Sequence, residues 1–188
     1  MRRFFVSVFE VVEVVVVALV AVYLIRNFLV QPFLVSGASM VPTFAHGDYI
    51  LIDELSFRFR HPERGEVIVF RYPNDESTYF IKRVIGMPFD RLILKDGKII
   101  IVNAENPHGK TLDETYLPAG VVTTPHGNGK FDFTLGANQY FVMGDNRPYS
   151  FDSRDWGVVA ASEVIGAVRL RLWPVTGFSV FAAPGYPS

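Results

Sequence analysis

The feature that most constrains this chain is the apolar stretch Val14 to Ile25, twelve residues of Val, Leu, Ile, Ala and Tyr with no charge among them. A helix of that length rises roughly 18 Å, short of the ~30 Å hydrocarbon layer of a bilayer. A span therefore draws in Val11, Val12 and the Phe28-Leu29-Val30 run, which predicts a helix over Phe4 to Val30. Glu10 and Glu13 share one face near its start and reach the near headgroups, while Arg26 snorkels at the far end. Two other readings compete. A cleaved secretory signal is imitated by the basic start and the small residues Ser36 and Ala38, but Glu10 and Glu13 are misplaced for it and Arg26, Asn27 and Gln31 interrupt the approach. A buried soluble helix needs cover on all sides, which a strand-rich chain does not offer. The expectation is a membrane anchor over residues 1–30, with Arg2 and Arg3 holding the N-terminus on the cytoplasmic side and residues 31–188 carried to the outer face of the membrane.

After Ser39 the period changes. Short β-branched and aromatic runs separated by Gly, Pro, Asp and Asn predict strands at Tyr49–Asp53, Val67–Tyr72, Tyr79–Ile85, Arg91–Lys95, Lys98–Val102, Lys130–Thr134, Tyr140–Met143 and Ile165–Trp173. Asp96-Gly97 joins two of them as a two-residue hairpin, with Gly97 supplying the positive φ that a primed turn requires. Residues 96–138, rich in Pro, Gly, His and Thr beyond the hairpin, read as an inserted small β subdomain. The fold class expected is mainly β: an antiparallel, barrel-like domain with that insertion, preceded by one transmembrane helix.

Composition removes several function classes. The balance of 18 basic and 19 acidic residues, with no basic run, leaves no electrostatic footprint for nucleic acid. The absence of cysteine excludes thiolate nucleophiles and Cys-based zinc sites, and the four histidines are scattered without metal-ligand spacing. No metal or cofactor is expected. What remains is a set of polar clusters among apolar strands: Ser36 to Thr43, Tyr79 to Arg83, and Gly144 to Arg154. Lys82 stands in an otherwise apolar strand, where alternation puts Phe80, Lys82 and Val84 on one face. A lysine titrates near 10.4 in water, so holding it neutral at pH 7 takes about three units, or roughly 4 kcal/mol of desolvation. A neutral lysine can take a proton from a serine hydroxyl. Taken singly, a strand lysine commonly snorkels to solvent, a serine before proline commonly makes a turn, and a Gly-Asp-Asn-Arg loop commonly carries surface ion pairs. Their joint occurrence favours a Ser/Lys pair as nucleophile and base.

The chain also resembles the bacterial type I signal peptidases, membrane-anchored Ser/Lys endopeptidases. The resemblance runs in family order through the anchor, Ser36-Gly37-Ala38-Ser39-Met40-Val41-Pro42-Thr43, Arg64-Gly65-Glu66-Val67-Ile68-Val69-Phe70, Tyr79-Phe80-Ile81-Lys82-Arg83-Val84-Ile85-Gly86, and Gly144-Asp145-Asn146-Arg147 through Ser150-Phe151-Asp152-Ser153-Arg154. It implies that Ser39 is the nucleophile and Lys82 the general base. It further implies that Ser150 orients the lysine and that Asp152 with Arg154 braces the site, with Arg83 and Asp145 acting similarly. The backbone N–H of Ser39 is one expected oxyanion donor. A serine hydroxyl commonly stands two positions before the nucleophile in the family; here that position is Gly37, with Ser36 one residue earlier, so both are candidates for the second donor. Phe89 stands where a turn glycine is usual, and Tyr149 where asparagine is common. Phe33, Val35, Met40, Phe44, Phe80 and Ile81 are the expected walls of shallow pockets that admit small residues before the cut. The expected substrates are preproteins with N-terminal signal peptides ending in an Ala-X-Ala pattern, the other partner is membrane lipid, and the enzyme is expected to act as a monomer. A non-catalytic membrane-anchored β-domain that binds extracellular peptides accounts for the anchor and strands but leaves the pairing of Lys82 with Ser150 unexplained. A self-cleaving Ser/Lys protease of the repressor type is disfavoured, because that class is soluble and carries a DNA-binding domain.

Overall fold

A computed structural model describes residues 10–20, 23, 30–126 and 131–182. The predicted anchor falls largely outside these, and among the described residues no helix is long and apolar enough to cross a membrane. Residues 10–20 are helical, and Val11, Val14, Val17 and Leu19 are each more than 60% exposed, so no protein surface covers them.

The remainder is built of antiparallel strands in two sheets. The larger orders its strands β1 (Val30–Leu34), β2 (Tyr49–Asp53), β11 (Val164–Trp173), β3 (Val67–Tyr72), β4 (Asp75–Gly86), β9 (Gln139–Met143) and β10 (Val159–Ala160), with β12 (Ser179–Val180) against β11. The smaller orders β7 (Lys110–Thr111), β6 (Lys98–Val102), β5 (Arg91–Lys95) and β8 (Asp132–Thr134). The mainly β, antiparallel reading of the sequence is therefore correct.

The helix predicted to run through Val30 ends earlier, because Val30–Leu34 pairs with β2 from Val30 opposite Asp53 to Leu34 opposite Tyr49. Pro32 explains the change: it has no N–H for a helix and pushes Gln31 into extended backbone. As the last strand of its sheet, β1 tolerates the missing donor. The strands β7, β10 and β12 were not expected, since two residues are too few to display a period.

Three apolar layers hold the domain. Val35, Met40, Phe44, Ile50, Ile52, Val67, Val69 and Val168 pack on one face of the larger sheet, and Ile68, Phe70, Val84, Tyr140 and Val142 on the other. Strand β3 supplies both faces, which is why Val67-Ile68-Val69-Phe70 is an unbroken apolar run. A third layer joins the sheets, with Ile85, Phe141 and Met143 meeting Leu92, Ile99, Ile101 and Phe131. Each fully buried Ile, Leu or Phe here is worth about 1.5–3 kcal/mol relative to exposure. The β5–β6 hairpin turns at Asp96 (φ 51°) and Gly97 (φ 73°), both positive as the sequence required of Gly97. Phe89 also adopts a positive φ, 68°, and is 72% exposed, so it occupies a glycine-like turn with no burial in return.

Candidate active site

Strand β4 changes character along its length. Asp75 to Ser77 are exposed, whereas Lys82 to Gly86 are buried between β3 and β9. Lys82 is therefore carried inside by its strand, with only 4% of its surface exposed. The segment from Ser36 to Thr43 crosses to meet it. Val35 N–H donates to Asp48 and Gly47 N–H to Val35, so this segment is closed as a loop, and Met40 and Phe44 lock its underside into the core.

Those contacts place Lys82 Nζ 2.8 Å from Ser39 Oγ, where it donates, with a second bond of 2.9 Å to the Ile81 carbonyl. The amine also lies 5.2 Å from the centre of the Phe80 ring. Burial pushes the Lys82 amine down to about 8, against the opposing pull of Asp152 and Asp145. About a tenth of the lysine is then neutral at pH 7, enough to act as base to the hydroxyl it touches.

Two buried carboxylate–arginine forks flank this pair. Arg83, next along β4 and facing the opposite way, grips Asp145 through Nε at 2.8 Å and Nη2 at 2.6 Å and donates to the Gly65 carbonyl. Thr43 Oγ1 donates to the same Asp145 at 2.5 Å, tying the nucleophile loop to the fork. Arg154 grips Asp152 at 2.8 and 2.7 Å, with neither side chain exposed. Burial alone raises the Asp152 carboxyl, but the Arg154 fork and the Gly144 N–H more than offset it and hold it low. Asp152 also caps the short helix Ser153–Trp156, with Asp155 completing the box.

Ser150 is buried and does not bond to Lys82; its hydroxyl interacts with the Asp152 carboxylate, which it helps to hold low. It lies against Gly144: a Cβ added there would collide with Ser150 Oγ and with the Ser39 carbonyl, so only glycine fits between them. Asn146 N–H donates to the Ser39 carbonyl at 3.0 Å and its side chain to the Ala38 carbonyl at 3.0 Å. Neither Asn146 nor Thr43 was singled out from the sequence, although both lie within the quoted motifs.

Of the two candidates for the second oxyanion donor, Gly37 has its N–H engaged by His46 Nδ1 at 3.3 Å. The Ser36 side chain is exposed, lines the cleft and makes no hydrogen bond among the described residues, and the Ser39 N–H is equally unengaged. The cleft over the pair has a volume of about 400 Å³ and is mostly apolar. Of the residues expected to wall the pockets, Phe33, Val35, Phe80 and Ile81 line this cleft. Met40 and Phe44 do not; at 1% and 0% exposure they form the layer beneath it. Tyr79, Tyr149 and Phe151 take part in the lining instead. Among the described residues no group of three or more metal-ligating side chains is assembled.

The family model for "Signal peptidase, peptidase S26" matches residues 8–173, most of the chain. The chain belongs to that family. Among its relatives, a probable signal peptidase I-2 of Synechocystis is 36% identical over 147 residues, 75% of this chain and 62% of that protein. A signal peptidase I of Bacillus caldolyticus is 37% identical over 155 residues, 78% of this chain and 81% of that one. The chain thus spans less than two thirds of the Synechocystis relative but most of the Bacillus one. A solved signal peptidase I from Enterococcus faecalis is 28% identical, covering 57% of this chain and 97% of that one, with a TM-score of 0.46.

Proposed function

We propose that this chain is a membrane-bound serine endopeptidase that removes N-terminal signal peptides from exported preproteins, cutting after small residues. The observation that carries this is the 2.8 Å contact between Ser39 Oγ and a buried Lys82 amine titrating near 8. Lys82 in its neutral form takes the Ser39 proton as Oγ attacks the scissile carbonyl. The Ser39 N–H and the Ser36 hydroxyl donate to the resulting oxyanion, a contribution typically worth a hundredfold or more per donor. Lys82 then hands its proton to the leaving amine, and in the second half takes one from the water that hydrolyses the acyl-enzyme. Arg83 with Asp145 and Arg154 with Asp152 fix the strand and loop that bear these groups. Ser150, set between Gly144 and the Asp152 carboxylate, helps to hold the wall of the site on which Lys82 acts.

Residues 1–30 are the anchor in this reading, supported by the exposed apolar side chains of residues 10–20 and by Arg2 and Arg3 before them. The N-terminus is cytoplasmic, and residues 31–188, with 96–138 as an inserted subdomain, stand on the outer face as a monomer. An extended substrate adds as a strand beside Phe33–Ser36 and Tyr79–Lys82, its small side chains entering the shallow cleft. The test is cleavage of a preprotein by the detergent-solubilised chain beside Ser39→Ala and Lys82→Ala. Both variants lose cleavage. Variants that cut as well as the wild type refute the pair, and a wild type that binds without cutting makes this a peptide-binding module.

A further inference from the structure

The smaller sheet reaches the nucleophile through one buried guanidinium. Arg147, only 1% exposed, lies in the loop after β9 and donates from Nε to the Gly144 carbonyl at 3.1 Å. Its remaining nitrogens turn the other way, to the segment that links β7 to β8. Nη1 donates to Thr123 Oγ1 at 2.6 Å and to Glu114 Oε2 at 3.1 Å, while Nη2 pairs with Glu114 Oε1. Glu114 is itself largely buried, with 12% of its side chain exposed, and takes a further bond from Tyr116 Oη at 2.7 Å. The Tyr116 ring lies 4.0 Å from the Arg83 guanidinium, so one segment touches both the Arg147 and Arg83 ends of the site.

That segment is pinned to the smaller sheet. Leu112 N–H donates to the Ile99 carbonyl, and Thr123 N–H to Gly97 at the β5–β6 turn. On the far side of Arg147, the adjacent Asn146 N–H holds the Ser39 carbonyl. The path from that segment to the nucleophile thus runs through one side-chain contact to Arg147 and one backbone bond from the adjacent Asn146. Both Glu114 oxygens are taken by Arg147, with the Tyr116 hydroxyl on one of them, and Glu114 lies outside every motif that carries the proposed chemistry.

We propose that Glu114, acting through Arg147, is a positioning residue for Ser39, so that the smaller sheet is a working part of the active site. With Glu114 and Thr123 in place, Arg147 keeps Gly144 to Asn146 in the one conformation that holds the Ser39 carbonyl. Without them the guanidinium turns toward water and the nucleophile loop loses its register against Lys82. This rests on the serine-peptidase reading given above.

The test uses the full chain in detergent, with Glu114→Gln as the main variant and Thr123→Val as a milder one that keeps the shape of the side chain. Steady-state cleavage of a signal-peptide-bearing preprotein is measured well below each variant's melting temperature, together with amide hydrogen exchange over residues 38–44 and 143–149. Glu114→Gln is expected to lower kcat about tenfold or more with KM within about twofold, since small misplacements of reacting groups carry such losses. Thr123→Val gives a smaller fall in the same direction, and exchange accelerates in both segments. Folded variants with wild-type kcat and unchanged exchange overturn the proposal, as does a fall that only tracks the unfolded fraction. If the wild type itself does not cleave, the peptidase reading fails, and the exchange data alone decide whether Glu114 holds the Ser39 loop.

Discussion

Replacing Lys82 with Met isolates what the fold spends to hold an amine in an apolar cleft. The amine falls from 10.5 to about 8 on folding, while in the unfolded chain it keeps its proton up to the higher value. Between those values the unfolded state binds more protons, so the stability of the wild type rises with pH across that window and is lowest below pH 8. At about 1.4 kcal/mol per unit, the burial costs about 3 kcal/mol at pH 7 and under about 1 kcal/mol at pH 10. Methionine fills similar volume with no charge, but forfeits the bonds to Ser39 and Ile81, about 1 kcal/mol each. Lys82→Met is therefore expected to be about 1–2 kcal/mol more stable than the wild type at pH 7. The difference between the two shifts by about 2.5 kcal/mol toward the wild type on going to pH 10. Denaturant unfolding in detergent at the two pH values reads this directly. The same amine sets the acid limb of kcat/KM, which rises about tenfold per unit up to a midpoint near 8. A stability difference that is the same at pH 7 and pH 10 refutes the depressed lysine and removes the basis for calling it a base.

Ser36→Ala is expected to lower kcat about a hundredfold with little change in KM, because the Ser36 hydroxyl lines the cleft and makes no hydrogen bond among the described residues, whereas the Gly37 N–H is engaged by His46; wild-type turnover discards it as a donor. Asp145→Asn breaks the buried fork with Arg83 and is expected to cost about 3–5 kcal/mol, seen as a melting temperature lower by about 10 °C or more. Phe89→Gly relieves a left-handed bulky residue, and since Phe89 is 72% exposed it loses little contact; thermal melting is expected to show a gain of about 0.5–1 kcal/mol.

The parts of this molecule legible in the sequence are those whose cause is local. Gly97 was readable because a two-residue hairpin admits few residues, and the strands because Ile50 and Ile52 alternate while Val67 to Phe70 do not. Ser39, Lys82 and the residues of the two acid–arginine forks are readable through the motifs they stand in, although Lys82 lies 43 positions from Ser39 and Asp145 62 positions from Arg83. Glu114 is not, since it stands in no motif, its use is defined by Arg147, and the segment around it has no period. Met40 and Phe44 were misplaced for a related reason: adjacency to Ser39 suggested a pocket wall, yet the loop turns them down into the core. The helix reading extends to Val30 because apolar content is continuous through Phe28-Leu29-Val30, and the strand Val30–Leu34 goes unread; Pro32 carries more information than the residues around it.

The opposite facing of Lys82 and Arg83 has a consequence for how this site can fail. The two cations are neighbours on β4, one turned to Ser39 and the other to Asp145, and both are held by pairing with Ile68 and Val67 on β3. A slip of β4 by one residue that sets Arg83 opposite Ile68 would bring a guanidinium to the serine, while Lys82 moves on to the place of Ile81 and turns to the other face, leaving Asp145 without its fork. The formal charge would be unchanged and the sheet still paired. A guanidinium does not release its proton in a protein, so the chain would be folded, charged as before, and chemically silent.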